Sequence, residues 1–168
     1  KLVDRLHDLE KQVNDMLLFA KGGDNKVIER FTLESLLNEL DTMVEAQVVT
    51  NQVDFSIEWA DESIMLLGNA NALASALGNL ITNAIQMSGK QCKVALNCTQ
   101  QGDAIYLSVI DNGPGIAPDM QAKILEPFFT TRQQGTGLGL AVVQMVATAH
   151  KGRLLLESEL GKGACFTL

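Results

Sequence analysis

The sequence predicts an α+β domain built as a two-layer α/β sandwich, with a mixed sheet covered by helices on one face and one long helix in front. Three observations carry this expectation. Five short segments alternate apolar and polar residues, and four of them fall into two pairs joined by turn signals. Three other segments repeat their apolar residues at helical spacing and stand apart from those pairs, the pattern of strands and helices that segregate into layers. The chain opens on Leu2, Leu6, Leu9, Val13, Met16 and Ala20, the seam of a helix packed in a coiled coil or four-helix bundle.

That first helix stops at Gly22-Gly23. Its remaining positions are mostly charged or polar, so the seam is expected to be exposed or self-associated. An amphipathic helix is expected near Leu33 to Val48, an alternating strand near Val53 to Trp59, and a longer helix from about Asn71 to Met87. Strands at Cys92 to Thr99 and Ala104 to Ile110 flank a Gln-Gly-Asp turn. A glycine-rich region then leads to a helix near Leu138 to His150, and strands at Arg153 to Glu157 and Ala164 to Leu168 close the set through "LGKG". Residues 1–22 form one unit in this division and residues 23–168 the other. A chain of 168 residues buries roughly 68–70% of its unfolded surface, so a real core is expected.

Thirteen basic residues against 20 acidic ones give a net charge of −7, and the basic residues are scattered. This argues against a nucleic-acid surface, and an anionic ligand would need a local device. No run of eighteen apolar residues and no signal segment is present, so the expectation is a soluble piece without membrane contact. Cys92, Cys98 and Cys165 lack CxxC spacing and read as reduced thiols in a cytoplasmic compartment. The chain begins at Lys1 inside a helical pattern, which suggests a fragment of a longer protein, itself soluble or membrane-anchored.

Chemistry concentrates in three places. In "NALASALGNLITNAIQM", Leu73, Leu77, Leu80, Ile81 and Ala84 form an apolar stripe, while Asn79, Asn83 and Gln86 fall on the other side. Asparagine is a poor helix former, so two amides one turn apart face either solvent or a ligand, and an amide oxygen suits Mg²⁺. In "AIYLSVID", Asp111 shares its parity with Ile105, Leu107 and Val109, so it ends the strand as an inward carboxylate that needs a donor. An exocyclic nucleobase amine is such a donor; "DNGPGI" is otherwise a tight turn. Finally, "GTGLGL" opens an apolar helix, and small residues there leave backbone N–H groups bare at a positive helix end, an arrangement that holds phosphates. A flexible glycine turn is the alternative. Five of the 14 glycines lie in these last two segments.

In order along the chain, "NLITNA", "DNGPGI", "EPFFTTR" and "GTGLGL" resemble the N, G1, F and G2 boxes of sensor histidine kinases, whose ATP-binding domain shares a superfamily with DNA gyrase and MutL. The resemblance covers nearly the whole chain, through "HKGRLLLES" and "GKGACFTL". It implies a Bergerat-type ATP-binding fold over residues 23–168, ATP and Mg²⁺ as ligands, and residues 1–22 as the second helix of a dimerisation and phosphotransfer hairpin. It implies that Asn83 binds Mg²⁺, with Asn79 and Gln86 nearby, although Gln86 stands where many relatives carry a basic residue. Asp111 would accept the adenine amine, and the backbone from Gly113 through Gly115 and Ile116 would line the base. Phe128 and Phe129 resemble the hinge of a short lid from Thr130, Thr131 and Arg132 to Gln134. Gly135, Thr136, Gly137, Leu138, Gly139 and Leu140 would close over the phosphates. The short "FFTTRQQGTGLGL" passage is similar to kinases of the nitrogen-regulation and flagellar type, which would make the partner response regulator a cytoplasmic sigma-54-dependent activator.

Kinases of this family phosphorylate a histidine in an H-E-x-x-x-P motif, and the chain contains none. His7-Asp8 with Gln12 fits an H-D-x-x-x-Q variant, but its helix leads straight into the ATP domain, so His7 is read as a surface residue. His150 is read as structural. The reading is a catalytic domain serving a histidine upstream of this fragment, in a homodimer. The alternative is a conformational ATPase of the same superfamily without histidine transfer, which would favour a glutamate base in the Asn-rich helix.

Overall fold

The computed structural model describes residues 28–59, 61, 63–89, 91–131 and 135–168, together with Leu9, Glu10, Val13, Asn14, Met16, Leu17 and Ala20 of the N-terminal stretch. These seven are helical with exposed side chains, as the seam reading requires for Leu9, Val13 and Met16; Leu2, Leu6 and His7 lie outside the described residues.

Two sheets are formed. Strands β1 (Glu29–Thr32) and β3 (Met65–Gly68) pair antiparallel as a two-stranded sheet. The second sheet has five strands, β2 (Asp54–Trp59), β4 (Lys93–Gln101), β5 (Ala104–Asp111), β6 (Leu155–Ser158) and β7 (Ala164–Thr167), in the order β2-β4-β5-β7-β6. Among the described strands only the β2 and β4 pair is parallel, because the chain crosses over between them through β3 and the long helix Ala70–Ser88. The predicted hairpins β4–β5 and β6–β7 are both present.

Helix α1 (Leu33–Thr50) starts where Thr32 Oγ1 accepts the Ser35 N–H at 3.1 Å. Its Leu33, Leu36, Leu37, Leu40 and Val44 follow helical spacing and are at most 2% exposed. Burying each such side chain contributes about 1.5–3 kcal/mol, so this one stripe holds the helix on the domain. Helix α2 (Ala70–Ser88) is capped by Asn69, whose side chain accepts the Ala72 N–H at 2.8 Å, and ends at Gly89 with φ +66°. Helix α4 (Gly139–Ala149) packs on α2 through Val142, Val143 and Val146. These helices cover the sheet face bearing Val94, Leu96, Leu107, Val109 and Phe166, while Ala95, Asn97, Ser108 and Thr167 on the other face stay half-buried. Burial alone pushes the Cys98 thiol up to about 12, so it packs as a small apolar group. All three cysteines are free.

Three features depart from the sequence expectation. The β1–β3 pair was not expected: β1 is four residues long and runs into the α1 cap, and "MLLG" shows no apolar–polar alternation because the outward-facing Met65 and Leu67 are apolar as well. A short helix α3 (Pro118–Gln121) and a single 3-10 turn (Lys123–Leu125) fill the stretch after the glycine loop. Strand β6 begins at Leu155, two residues after the expected Arg153. No helix among the described residues is long and apolar enough to cross a membrane.

Candidate functional site

At Asn79 and Asn83 the amide-bearing side of α2 is covered; at Gln86 it is open to solvent. Asn79 is 2% exposed, Asn83 is half-buried, and Gln86 is exposed. The cover is the start of α4: a Cβ added to Gly139 would lie 3.8 Å from Asn83 Nδ2 and 3.9 Å from Asn79 Cγ. The two amides therefore stand beneath the first residue of that helix. Leu138, the residue before it, is 1% exposed and provides no side-chain cap. Among the described residues no cap from Leu138 covers the first-turn N–H groups of α4, at a positive helix end directly above two amides.

The segment before α4 folds back on itself. The Phe128 N–H donates to Gly137 O at 2.9 Å, and the Leu138 N–H donates to Thr136 Oγ1 at 3.3 Å. Gly137 has φ +68°, and a Cβ there would lie 2.6 Å from the Phe128 carbonyl oxygen. Phe128 also has a positive φ, +68°, with a side chain 64% exposed, while Phe129 is half-buried. Thr130 and Thr131 are exposed, and Gly135, Thr136 and Leu140 half-buried; Arg132, with Gln133 and Gln134, lies outside the described residues.

At the end of β5, Asp111 points to the helix side, as its parity requires, and is half-buried. Its Oδ1 accepts the Gly113 N–H at 2.8 Å and the Ala164 N–H at 3.3 Å. Both of these hydrogen bonds fall on Oδ1; among the described residues none is given to Oδ2, which can take a donor from a ligand. Burial raises its carboxyl above the usual carboxylate range, partly offset by those two N–H groups. Gly113 is pressed between that carboxylate and the end of α2, since a Cβ on it would meet Asp111 Oδ1 at 2.8 Å and Ser88 Oγ at 3.0 Å. Asn112 does different work. Its Oδ1 accepts the Lys93 N–H at 2.8 Å and its Nδ2 donates to Gln91 O at 3.0 Å, fastening the end of β5 to the start of β4.

Helix α2 therefore joins both parts of the site: Asn79 and Asn83 face the α4 terminus, and Ser88 meets the "DNGPG" loop. Five residues of helix from Asn83 to Ser88 span about 7.5 Å, a spacing that suits a ligand with an anionic end and a hydrogen-bonding base. Sequence reasoning missed Ser158 and Gln121, which hold the loop from behind. Its only signal was the pair Gly161 and Gly163 in "LGKG", read as a turn and nothing more. Among the described residues no cluster of three or more His, Cys, Asp or Glu could hold a metal, so a cation here would rest on amide and ligand oxygens. His150 is structural, as expected: its Nε2 accepts the Asn69 N–H at 2.9 Å, which places the proton on Nδ1, 2.7 Å from Val146 O.

Residues 68–168 match the family described as histidine kinase-, DNA gyrase B-, and HSP90-like ATPase. The sensor protein kinase FleS of Pseudomonas aeruginosa is 43% identical over the whole chain, which spans 41% of that relative's length. Among solved structures, full-length ShkA in complex with AMPPNP superposes with a TM-score of 0.80 at 29% identity, covering 96% of this chain and 35% of that one. Histidine kinase ThkA in complex with the response regulator TrrA gives 0.77 at 25% identity, covering 98% of this chain and 47% of that one. The chain is thus similar to less than half of each of these larger proteins.

Proposed function

Because this chain belongs to the histidine kinase-, DNA gyrase B- and HSP90-like ATPase family, we propose that it is the ATP-binding catalytic domain of a sensor histidine kinase, which transfers the ATP γ-phosphoryl group to a histidine upstream of these residues for relay to a response regulator. The observation that supports the reading is the start of α4, without a side-chain cap from Leu138, lying over Asn79 and Asn83, with the Asp111 carboxylate, bonded through Oδ1 to Gly113 and Ala164, one helix-end away.

In this reading Asp111 Oδ2 accepts the adenine amine, and the Gly113 to Ile116 backbone flanks the base. The α4 N-terminus and the Gly135 to Leu140 backbone receive the phosphates, with Thr130, Thr131 and Arg132 closing above them. The Asn83 amide oxygen holds Mg²⁺, beside Asn79, and Gln86 lies at the outer edge. Mg²⁺ held by the Asn83 amide oxygen would neutralise phosphate charge. The residues fit these ligands, since a hard cation takes amide and phosphate oxygens and needs no acidic cluster.

Residues 1–22 are assigned to the second helix of a phosphotransfer hairpin, which homodimerises in the whole protein, and residues 23–168 to the catalytic domain. The short "FFTTRQQGTGLGL" passage, similar to kinases of the nitrogen-regulation and flagellar type, is the ground for proposing a cytoplasmic response regulator of the sigma-54-dependent activator class. The conformational ATPase alternative lacks support, because no glutamate lies between Asn71 and Met87 to act as a base. The test mixes this domain, radiolabelled ATP and the separate hairpin of the same full-length protein. Acid-labile label on the hairpin histidine is expected, weak because the encounter is bimolecular. ATP hydrolysis with no labelled hairpin would favour the alternative.

A further inference from the structure

The stretch between β6 and β7, whose "LGKG" reads in the sequence only as a turn, grips the loop that follows β5. The Gly161 N–H donates to Pro114 O at 2.7 Å. The Ser158 hydroxyl accepts the Ile116 N–H at 2.8 Å and donates to Gly163 O at 2.7 Å, so both of its roles are used. From α3, the Gln121 side-chain amide donates to Ile116 O at 3.0 Å and to Ser158 O at 3.2 Å. The Ala164 N–H reaches Asp111 Oδ1. Two glycines make the contact possible: Gly115 (φ +71°) lies against the Glu159 carbonyl and Gly163 (φ +85°) against the Asp111 carbonyl, and a Cβ on either would overlap them.

The loop from Asn112 to Ala117 has no helix or strand of its own. Its near end is fixed by Asn112 on Lys93 and Gln91; its far end is fixed by Ser158. We propose that Ser158 is a positioning residue for base selectivity: it pins Ile116 to the β6–β7 turn and thereby holds Asp111, Gly113 and Gly115 at the spacing that accepts a purine amine, without itself touching the nucleotide. This rests on the assignment of Asp111 as the amine acceptor. Removing the hydroxyl leaves the Ile116 N–H and Gly163 O without their shared partner, and the loop is free to shift relative to the carboxylate.

The test compares ATP with inosine triphosphate, which carries an oxygen in place of the 6-amine, by calorimetry on the same chain. Wild type should prefer ATP. Ser158→Ala should lose about tenfold in ATP affinity and much less for inosine triphosphate, so that the selectivity ratio shrinks. Ser158→Thr, which retains the hydroxyl, should restore it. A wild type with no preference overturns the Asp111 assignment itself. A wild type that prefers ATP, with a folded Ser158→Ala that keeps the full ratio, overturns the role of Ser158 alone. If Ser158→Ala does not fold, Gln121→Leu removes only the outer brace and should shrink the ratio in the same direction; an unchanged ratio there also overturns the proposal.

Discussion

The Phe128 N–H and the Gly137 carbonyl meet at 2.9 Å, so the two ends of the segment between them are joined at one point. The Phe128 side chain is mostly exposed, and backbone contact holds this neck closed. Gly137→Ala would introduce a Cβ at φ +68° and 2.6 Å from the Phe128 oxygen. Strain of about 1 kcal/mol and the overlap together should force the neck open. The expected result is faster limited proteolysis between Phe129 and Thr136 and at least about a tenfold loss of nucleotide affinity. A variant with unchanged proteolysis and affinity would show that the neck has no part in binding.

A second interlock lies at the opposite end of α4. A Cβ on Gly68 would stand 2.5 Å from His150 Nε2, the atom that accepts the Asn69 N–H at the entry to α2. Gly68→Ala should expel the imidazole, break its bonds to Asn69 and Val146, and destabilise the domain by about 2–4 kcal/mol in denaturant titration. His150→Phe, which keeps the ring but neither bond, should cost about 1–3 kcal/mol. A Gly68→Ala domain as stable as wild type would mean that the helix ends tolerate separation.

Most of the frame was legible because single-faced elements announce themselves: the α1 stripe, the two hairpins and the α4 apolar run depend on local period alone. The β1–β3 pair was not, since four-residue strands with one inward side chain carry no period to read. In the site, parity placed Asp111 on the helix side correctly. Position on α2 could not say that Asn79 is buried, because the cover comes from α4, more than fifty residues later. Ser158 and Gln121 were invisible for the same reason, as a serine at a strand end gains meaning only from the loop it meets.

The Asn pair should separate by function. Asn83 is half-buried and Asn79 fully covered, so Asn83→Ala should leave stability within about 0.5 kcal/mol, while Asn79→Ala should cost about 1–3 kcal/mol. If Asn83 holds the cation, Asn83→Ala should weaken Mg²⁺-dependent ATP binding roughly tenfold or more. With the ion chelated, wild type and variant should bind alike. A defect of equal size with and without Mg²⁺ would assign Asn83 to the nucleotide and not to the ion.

Asp111 sets fold stability against ligand binding. Burial, the larger influence, raises its carboxyl above the ordinary range, and the Gly113 and Ala164 N–H groups only partly oppose it. The folded state therefore holds this proton more tightly than the unfolded state. Its stabilising effect is complete below the ordinary aspartate value of about 3.9 and is lost as pH rises through the higher folded value. Ionising Asp111 therefore costs the ligand-free folded domain more than it costs the unfolded chain. Asp111→Asn keeps an oxygen for Gly113 and Ala164 and carries no charge. Over that acid window, wild type should lose thermal stability relative to the variant as pH rises, and at pH 7 the variant should be at least as stable. The same variant should lose most ATP affinity, because Oδ2 is replaced by a donor that faces the adenine amine. Melting curves from pH 4 to 8 check the first half, and calorimetry at pH 7.5 the second. A wild type that gains stability on the variant with rising pH would show that the two N–H groups outweigh burial, and Asp111 would then be a structural carboxylate.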